Sequence, residues 1–189
     1  MKTSINSSLR GATFVFAASL AATLAAQPAE TTTQPSTPAP MASTMPENTK
    51  LAHHDKAFLK KAAEGGMKEV AVSQAVMGSL TNPQVKDFAN MMVNDHTAAN
   101  RELMTLAMAK GVVLPEADAK LTEKWSDKSG NVDKKYMHEM VEDHEDTVKL
   151  FEKAAKSDDA DIAAFATKTL PTLQHHLQMA KDLKKTVSM

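Results

Sequence analysis

The sequence Met92-Val93-Asn94-Asp95-His96 occurs twice in this chain in closely similar form. It returns as Met140-Val141-Glu142-Asp143-His144, 48 residues further on. Each copy lies in a long segment whose apolar residues recur every three or four positions, and each has its histidine where an apolar residue is expected. A repeated helical segment with a polar residue in its apolar stripe predicts a helical bundle with a site in its core.

The composition is that of one ordinary protein domain with additional segments. The 189 residues are 42% hydrophobic and 24% charged, and the formal net charge is −1. A near-neutral charge argues against nucleic acid as the main partner, because phosphate binding needs a basic face. With only 4% aromatic residues and 13 methionines, the composition favours helix over sheet.

Residues 1–26 have the pattern of a secretory signal peptide. Lys2 and Arg10 supply the positive start, and the apolar run that follows is too short and too rich in Ala and Thr to predict a membrane span. We expect cleavage after Ala25 or Ala26, with an uncleaved signal anchor as the alternative. The protein is therefore predicted to be exported to the periplasm, to associate with the outer membrane or to be secreted, without a transmembrane span after cleavage.

Residues 27–50 form a predicted disordered linker, rich in Pro and Thr. Such a composition buries too little apolar surface to offset the entropy of ordering the chain, so the linker is either a tether or a simple leader. The chain has no cysteine, which excludes disulfides and a lipid-modified Cys. The linker's five prolines are Pro28, Pro35, Pro38, Pro40 and Pro46.

The remaining residues, 51–189, are predicted to form an all-α domain, an antiparallel four-helix bundle. The helices are separated by an Asn-Pro start signal, by one glycine after a basic residue, by a Ser-Gly-Asn break and by a Ser-Asp-Asp capping sequence before the fourth helix. A short extra helix is expected in the crossover between the second and third helices, and Pro171 is expected to kink the fourth. The predicted segments are Asp55–Leu80, Pro83–Lys110, the short Pro115–Trp125, Val132–Lys156 and Ile162–Val187.

Four polar residues lie in the apolar stripes, one in each long helix. Glu69, His96 and His144 are near the middle of their helices, and His176 lies somewhat past the middle of the fourth. The midpoints of antiparallel helices lie at one level, so the four side chains should converge in the core. Buried ionisable groups are usually paired or bound to a metal. One carboxylate and three imidazoles suit one transition metal ion, such as Cu, Zn or Fe.

Further residues flank these candidate ligands. Met92, Met140 and Met179 lie one turn from the three histidines, and thioether sulfur near imidazole favours copper, although methionines also fill gaps in apolar cores. Asp95 and Asp143 directly precede two of the histidines. They are candidates either for orienting the ligands or for solvated surface charges.

The sequence supports three hypotheses about function. The first is metal binding, the second is a metal-free structural or interaction module whose polar cluster fixes the helix register, and the third is a metal-dependent oxidoreductase. The third has least support, because four protein ligands leave little open coordination. The chain has no glycine-rich phosphate loop, no Gly-x-Ser-x-Gly motif and no Cys nucleophile, so hydrolase and nucleotide chemistry are not indicated. No protein partner is indicated.

Five segments in the same order resemble the bacterial domain of unknown function 4142, and the likeness covers about residues 52–186. The resemblance implies a ferritin-like helical bundle exported to the cell envelope, labelled an outer membrane protein, with no established activity. The segments are Glu64–Val70, Met91–Thr97, Ser129-Gly130 before Tyr136, Val141–Glu145 and Leu170–Leu173 before His176.

One departure from the ferritin-like pattern bears on the metal site. Ferritin-like di-iron proteins carry Glu-x-x-His, but Val93 and Val141 stand three residues before His96 and His144. We therefore expect a single-metal or an empty site rather than a di-iron centre. A bound metal would imply a role in metal or stress handling in the cell envelope.

Overall fold

Helices account for all the regular secondary structure in residues 51–126 and 130–188, the part of the chain that this computed structural model describes. The prediction of an all-α bundle is confirmed for these residues. The predicted signal peptide and linker lie outside them, and so does Ser129. The helices are α1 (His53–Val76), α2 (Pro83–Ala109), a 3-10 helix (Ala119–Trp125), α3 (Val132–Ala154) and α4 (Ala160–Val187).

Three of the long helices begin at side-chain caps, and the sequence predicts two of these, at the starts of α2 and α4. The carboxamide oxygen of Asn82 accepts hydrogen bonds from the backbone of Gln84 and Val85 at the start of α2. Asn131 caps α3 and Asp159 caps α4 in the same way. Each cap satisfies backbone N–H groups that have no partner inside the helix.

The boundaries differ from the prediction by four residues at two places and by at most two residues elsewhere. Helix α1 ends at Val76, and the backbone N–H groups of Ser79 and Leu80 donate to the Val76 carbonyl in the turn that follows. The crossover contains a 3-10 helix capped by Asp118, which begins four residues after the predicted start at Pro115. At both places, 3-10 hydrogen bonds occur where α-helix was predicted. Such bonds are common in short connecting segments.

Helix α1 packs along α2 and α3 packs along α4, while further contacts join α1 to α3 and α2 to α4. Side-chain bonds tie the helix ends together. Asp55 at the start of α1 accepts a hydrogen bond from Ser157 just after α3. Lys110 at the end of α2 binds Asp159, the cap of α4, at 2.7 Å.

The apolar core has two separate clusters with a polar layer between them. One contains Phe58, Leu59, Leu103, Phe151, Ile162 and Phe165, and the other contains Val72, Phe88, Met92, Trp125, Tyr136 and Met140. Glu69, His96, His144 and His176 are buried but belong to neither cluster. None of the helices in the described ranges has both the length and the hydropathy of a membrane span.

Candidate metal centre

The polar layer holds the four residues that the sequence analysis selected, one from each long helix. Glu69 on α1 is 3% exposed, His96 on α2 is 6% exposed, and His144 on α3 and His176 on α4 are each 1% exposed. They replace apolar residues in the stripes that face the core. The periodicity of each helix therefore predicted their burial correctly.

The three histidines form a compact cluster. The ring centroids lie 5.6 Å apart for His96 and His144, 5.4 Å for His96 and His176, and 5.5 Å for His144 and His176. One ring nitrogen from each residue lies within 4.8 Å of the corresponding nitrogens of the other two. Nitrogens at this separation can be drawn onto one metal ion by small side-chain movements, since each Zn–N bond is about 2.0–2.1 Å long.

A backbone hydrogen bond fixes the ring of His144. Its Nδ1 lies 2.9 Å from the carbonyl oxygen of Met140, one turn earlier on α3. A carbonyl oxygen can only accept, so Nδ1 carries the proton and donates it. The lone pair of the neutral ring is then on Nε2.

A carboxylate fixes the ring of His176 in the opposite sense. Its Nε2 lies 2.9 Å from Oδ2 of Asp95 on α2, so Nε2–H donates and the lone pair is on Nδ1. Asp95 is only partly buried, with 42% of its side chain exposed, and it can therefore stay solvated while orienting a buried ring. A carboxylate on the far nitrogen of a histidine is the common arrangement behind metal-bound histidines, where it makes the ring a better donor.

In the part of the chain that the structure describes, one nitrogen on each ring is buried without a hydrogen-bond partner. These are Nε2 of His96, Nε2 of His144 and Nδ1 of His176. For His144 and His176, the unpartnered nitrogen is the one without a proton, because the other nitrogen of the ring donates its hydrogen bond to Met140 or to Asp95. A buried polar atom without a partner costs about 1–3 kcal/mol, and three such nitrogens in one cluster are compatible with metal binding.

Burial keeps the three rings neutral. It lowers the pKa of His96 to about 3, and the nearby His144 and His176 add to the shift because a second positive charge is opposed. Burial likewise lowers the pKa of His144 to about 4. It also lowers the pKa of His176, although the Asp95 carboxylate partly offsets this. All three lone pairs are consequently available for coordination at neutral pH.

Glu69 lies beside the histidine cluster. Its Oε1 is 3.9 Å from Nδ1 of His144, too long for a hydrogen bond, and its Oε2 has no partner among the described residues. Burial raises the pKa of Glu69 well above its ordinary value, and the Asp143 carboxylate raises it further. Among the described residues, the group with mutually close ligand atoms comprises the three histidines without Glu69. The role of Glu69 as a metal ligand therefore stays a prediction.

The remaining candidates divide into two groups. Met92 and Met140 are fully buried in the second apolar cluster, and Met179 packs against it while partly buried. None of the three lines the cavity beside the histidines, so their positions give no argument for copper. Among the described residues, Asp143 forms no hydrogen bond or ion pair with a histidine ring. It pairs with Lys68 at 2.6 Å, unlike Asp95 in the equivalent position of the other sequence copy.

A cavity of about 40 Å³ adjoins the cluster. This exceeds the roughly 10–15 Å³ that one water needs. His96, His176, Glu69 and Asp95 line one side, and the first apolar cluster closes the other through Leu103, Phe151, Phe165 and Leu173. Asn100, Thr147, Thr169 and Thr172 add polar atoms to the wall.

Asn100 is a site residue that the sequence analysis missed. It lies one turn after His96 and contacts Gly66, one turn before Glu69, so closely that a Cβ on Gly66 would collide with its side-chain oxygen. Gly66 thus permits a close approach of α2, whereas a Cβ on Gly65 would meet open space. The glycine pair in the middle of α1 was the available signal, since glycine inside a helix often marks close packing.

Comparison with known proteins gives a family and a fold. The model of a family described as "Domain of unknown function (DUF4142)" matches residues 40–183. The chain is also similar to the crystal structure of a conserved hypothetical protein, rv2844, from Mycobacterium tuberculosis. The two are 17% identical with a TM-score of 0.54, over 72% of this chain and 98% of that chain. This likeness concerns the fold alone. None of the curated proteins matches this chain.

Proposed function

Starting from the fact that this chain belongs to the DUF4142 family, we propose that it binds a single transition metal ion through His96, His144 and His176. The three unpartnered ring nitrogens carry this proposal. Two of the rings are held in opposite tautomers by Met140 and Asp95, and each tautomer leaves its lone pair on an unpartnered nitrogen. Imidazole nitrogens suit Zn²⁺, Cu²⁺ and Fe²⁺.

The fold that we infer around this ion is an antiparallel four-helix bundle with the ferritin-like connection. The end of α2 at Lys110 binds Asp159 at the start of α4. The start of α3 lies beside the turn between α1 and α2, because Asp133 accepts hydrogen bonds there from the backbone and the hydroxyl of Thr81. The crossover therefore spans the length of the bundle, and one long crossover is the connection found in ferritin-like bundles.

Metal titration tests the proposal. The protein, purified without a histidine tag and treated with chelator, should bind one equivalent of Zn²⁺ or Cu²⁺ in calorimetry. Its free energy of unfolding should also rise by about 2.7 kcal/mol when the metal concentration is 100 times the dissociation constant. Changing His144→Ala should abolish both effects. Changing His175→Ala, an exposed histidine next to His176, should leave both unchanged.

The competing hypothesis is a metal-free module in which the polar layer only fixes helix register. It predicts a melting temperature that responds to neither chelator nor metal. It also predicts that apolar replacement of Glu69, His96, His144 and His176 together is neutral or stabilising, because a buried polar cluster is often no more stable than a well-packed apolar one. Both results in the same protein would refute metal binding.

We further propose that the protein is exported and acts in the cell envelope, in metal or stress handling. The pattern of residues 1–26 supports export. The mature chain should begin at Ala26 or Gln27 and fractionate with periplasmic, secreted or outer-membrane material. Intact mass and cell fractionation measure this, and an uncleaved chain in the inner membrane would contradict it.

A further inference from the structure

We infer that the metal ion held by the three histidines keeps one coordination position open towards the cavity, and that a small ligand exchanges there. The ligand is water, hydroxide or an anion of a few atoms. This inference rests on the proposed metal site and adds what the site can do. Three histidines with one exchangeable position is the arrangement of a catalytic zinc centre, whereas structural sites have four protein ligands.

The position of Glu69 is the first argument. Its place in the apolar stripe of α1 predicts a fourth ligand. In the structure its Oε1 lies 3.9 Å from Nδ1 of His144, the nitrogen that already donates to Met140. The coordinating lone pair of His144 is on Nε2, the other nitrogen of the ring. Glu69 thus lies beside the protonated nitrogen of this ring and in the cavity wall, and the group of mutually close ligand atoms consists of the three histidines without it.

The cavity is the second argument. Its wall includes His96 and His176, so it opens directly onto two of the three proposed ligands. Its volume of about 40 Å³ accommodates a molecule of a few atoms and excludes a large organic substrate. Threonine hydroxyls and the Asn100 carboxamide offer hydrogen bonds, which suit water or a small polar anion rather than an apolar gas.

A route from solvent exists between α2 and α4. Asp95, Ala99 and Asn100 on α2 and Thr169 on α4 are partly exposed, and Thr172 is exposed. All five line the cavity. A ligand can therefore reach the histidines without passing through either apolar cluster.

Cobalt with azide as the probe tests the open position. The visible absorption of Co²⁺ depends on the number and kind of its ligands, and azide is a small anion that fits the cavity. The chelator-treated protein is loaded with one equivalent of Co²⁺, whose uptake calorimetry measures separately. Azide should then change the cobalt spectrum in a saturable way, with one azide per metal.

Two variants locate the azide. Changing Ala99→Leu extends a cavity-lining side chain into the space and should weaken azide binding by about tenfold or more, with cobalt affinity within about twofold of wild type. The matched control is Ala98→Leu, because Ala98 is exposed and adjacent on the same helix; it should change neither value. Gly65→Val adds a side chain at a cavity-lining position of α1 and replaces Ala99→Leu if that variant fails to fold.

The outcomes separate the two proposals. Failure to bind Co²⁺ refutes the metal site and this inference together. Cobalt binding with no spectral response to azide refutes the open position alone. An azide response that appears only after Glu69→Gln also refutes it, because Glu69 then fills the fourth position in the wild-type protein. An equal response in Ala99→Leu and wild type refutes the assignment to the cavity.

Discussion

His176 Nε2 donates a hydrogen bond to Oδ2 of Asp95 at 2.9 Å, across 81 residues of sequence and between two helices. The bond joins a fully buried ring to a partly exposed carboxylate. It fixes which nitrogen of His176 carries the proton. In the other copy of the repeated motif, Asp143 has a different partner, Lys68. Two similar sequences therefore give their acidic residues different tasks.

Removing the Asp95 carboxylate should weaken metal binding. Without it, neither tautomer nor orientation of His176 is fixed, and loss of such a partner typically costs 10–100-fold in affinity. Calorimetric titration of Asp95→Ala with Zn²⁺ measures this. Asp143→Ala is the matched control and should change affinity by less than about threefold, because Asp143 pairs with Lys68 and not with a histidine ring. Equal losses in the two variants would contradict the role given to Asp95.

Mild acid should destabilise the metal-free protein through its histidines. Their pKa values are lowered in the folded state, to about 3 for His96 and about 4 for His144, while an unfolded histidine has a pKa of about 6.5. Below about pH 6.5 the histidines of the unfolded chain bind protons, whereas His96 and His144 of the folded chain stay neutral until the pH approaches their lowered pKa values. The stabilisation is thus complete above that pH and is lost as pH falls towards 4–3. At pH 5 the loss is about 2 kcal/mol for each such histidine.

Denaturant unfolding at pH 7.5, 6 and 5, with chelator present, measures this loss. The variant with Leu at positions 96, 144 and 176 should lose distinctly less free energy over the same range. Glu69 acts in the opposite direction, since its pKa is raised. Its contribution is complete below its unfolded pKa of about 4.3 and is lost as pH rises. Glu69→Gln should therefore make the free energy of unfolding fall more steeply with decreasing pH than it does in the wild type. A free energy of unfolding that does not change with pH in that variant would contradict the lowered pKa values of the histidines.

The two adjacent glycines of α1 should respond differently to alanine. Gly66→Ala puts a Cβ against Asn100 and should lower the free energy of unfolding by about 1–3 kcal/mol. Gly65→Ala meets open space and should be neutral or stabilising by up to about 1 kcal/mol, since alanine favours helix. Urea unfolding of both variants decides the point. Restoration of Gly66→Ala by Asn100→Ala would identify the collision as the cause.

Asp133 should matter more than an ordinary surface carboxylate. It is 4% exposed and accepts hydrogen bonds from the backbone of Thr81 and Asn82 and from the Thr81 hydroxyl. Asp133→Ala leaves these donors without their acceptor and should lower the free energy of unfolding by about 1–3 kcal/mol or more. Asp87→Ala, at an exposed position of α2, should change it by less than about 0.5 kcal/mol. Similar values for both would show that the Asp133 bonds add nothing.

Burial of the four polar residues was predictable, because helical periodicity alone places His96, His144 and His176 in apolar stripes. Their tautomers were not. The ring of His144 depends on a carbonyl of its own helix, but that of His176 depends on how α4 is rotated against α2. Such rotation is decided by the packing of both apolar clusters, and a single sequence does not display it. The same applies to Glu69, whose depth was predictable and whose neighbour was not.

Local signals explain the helix boundaries in a similar way. Asn82 and Pro83 mark the start of α2 because capping is decided by adjacent residues. The 3-10 form of Ala119–Trp125 has no comparable signal, since the burial of Trp125 beside Tyr136 depends on α3. The contact between Gly66 and Asn100 likewise joins two helices. The glycine was visible in the sequence, but its partner was not.

The polar layer also divides the cooperativity of the molecule. Among the hydrophobic residues that the structure describes, Leu177 alone packs against both apolar clusters. The two ends of the bundle are otherwise joined mainly by helix backbone and by the histidine layer. Without a ligand in that layer, each end can open locally with its own free energy, as separate folding units do. An ion bound by α2, α3 and α4 couples the two local openings. Its binding would therefore slow amide hydrogen exchange at both ends of the bundle.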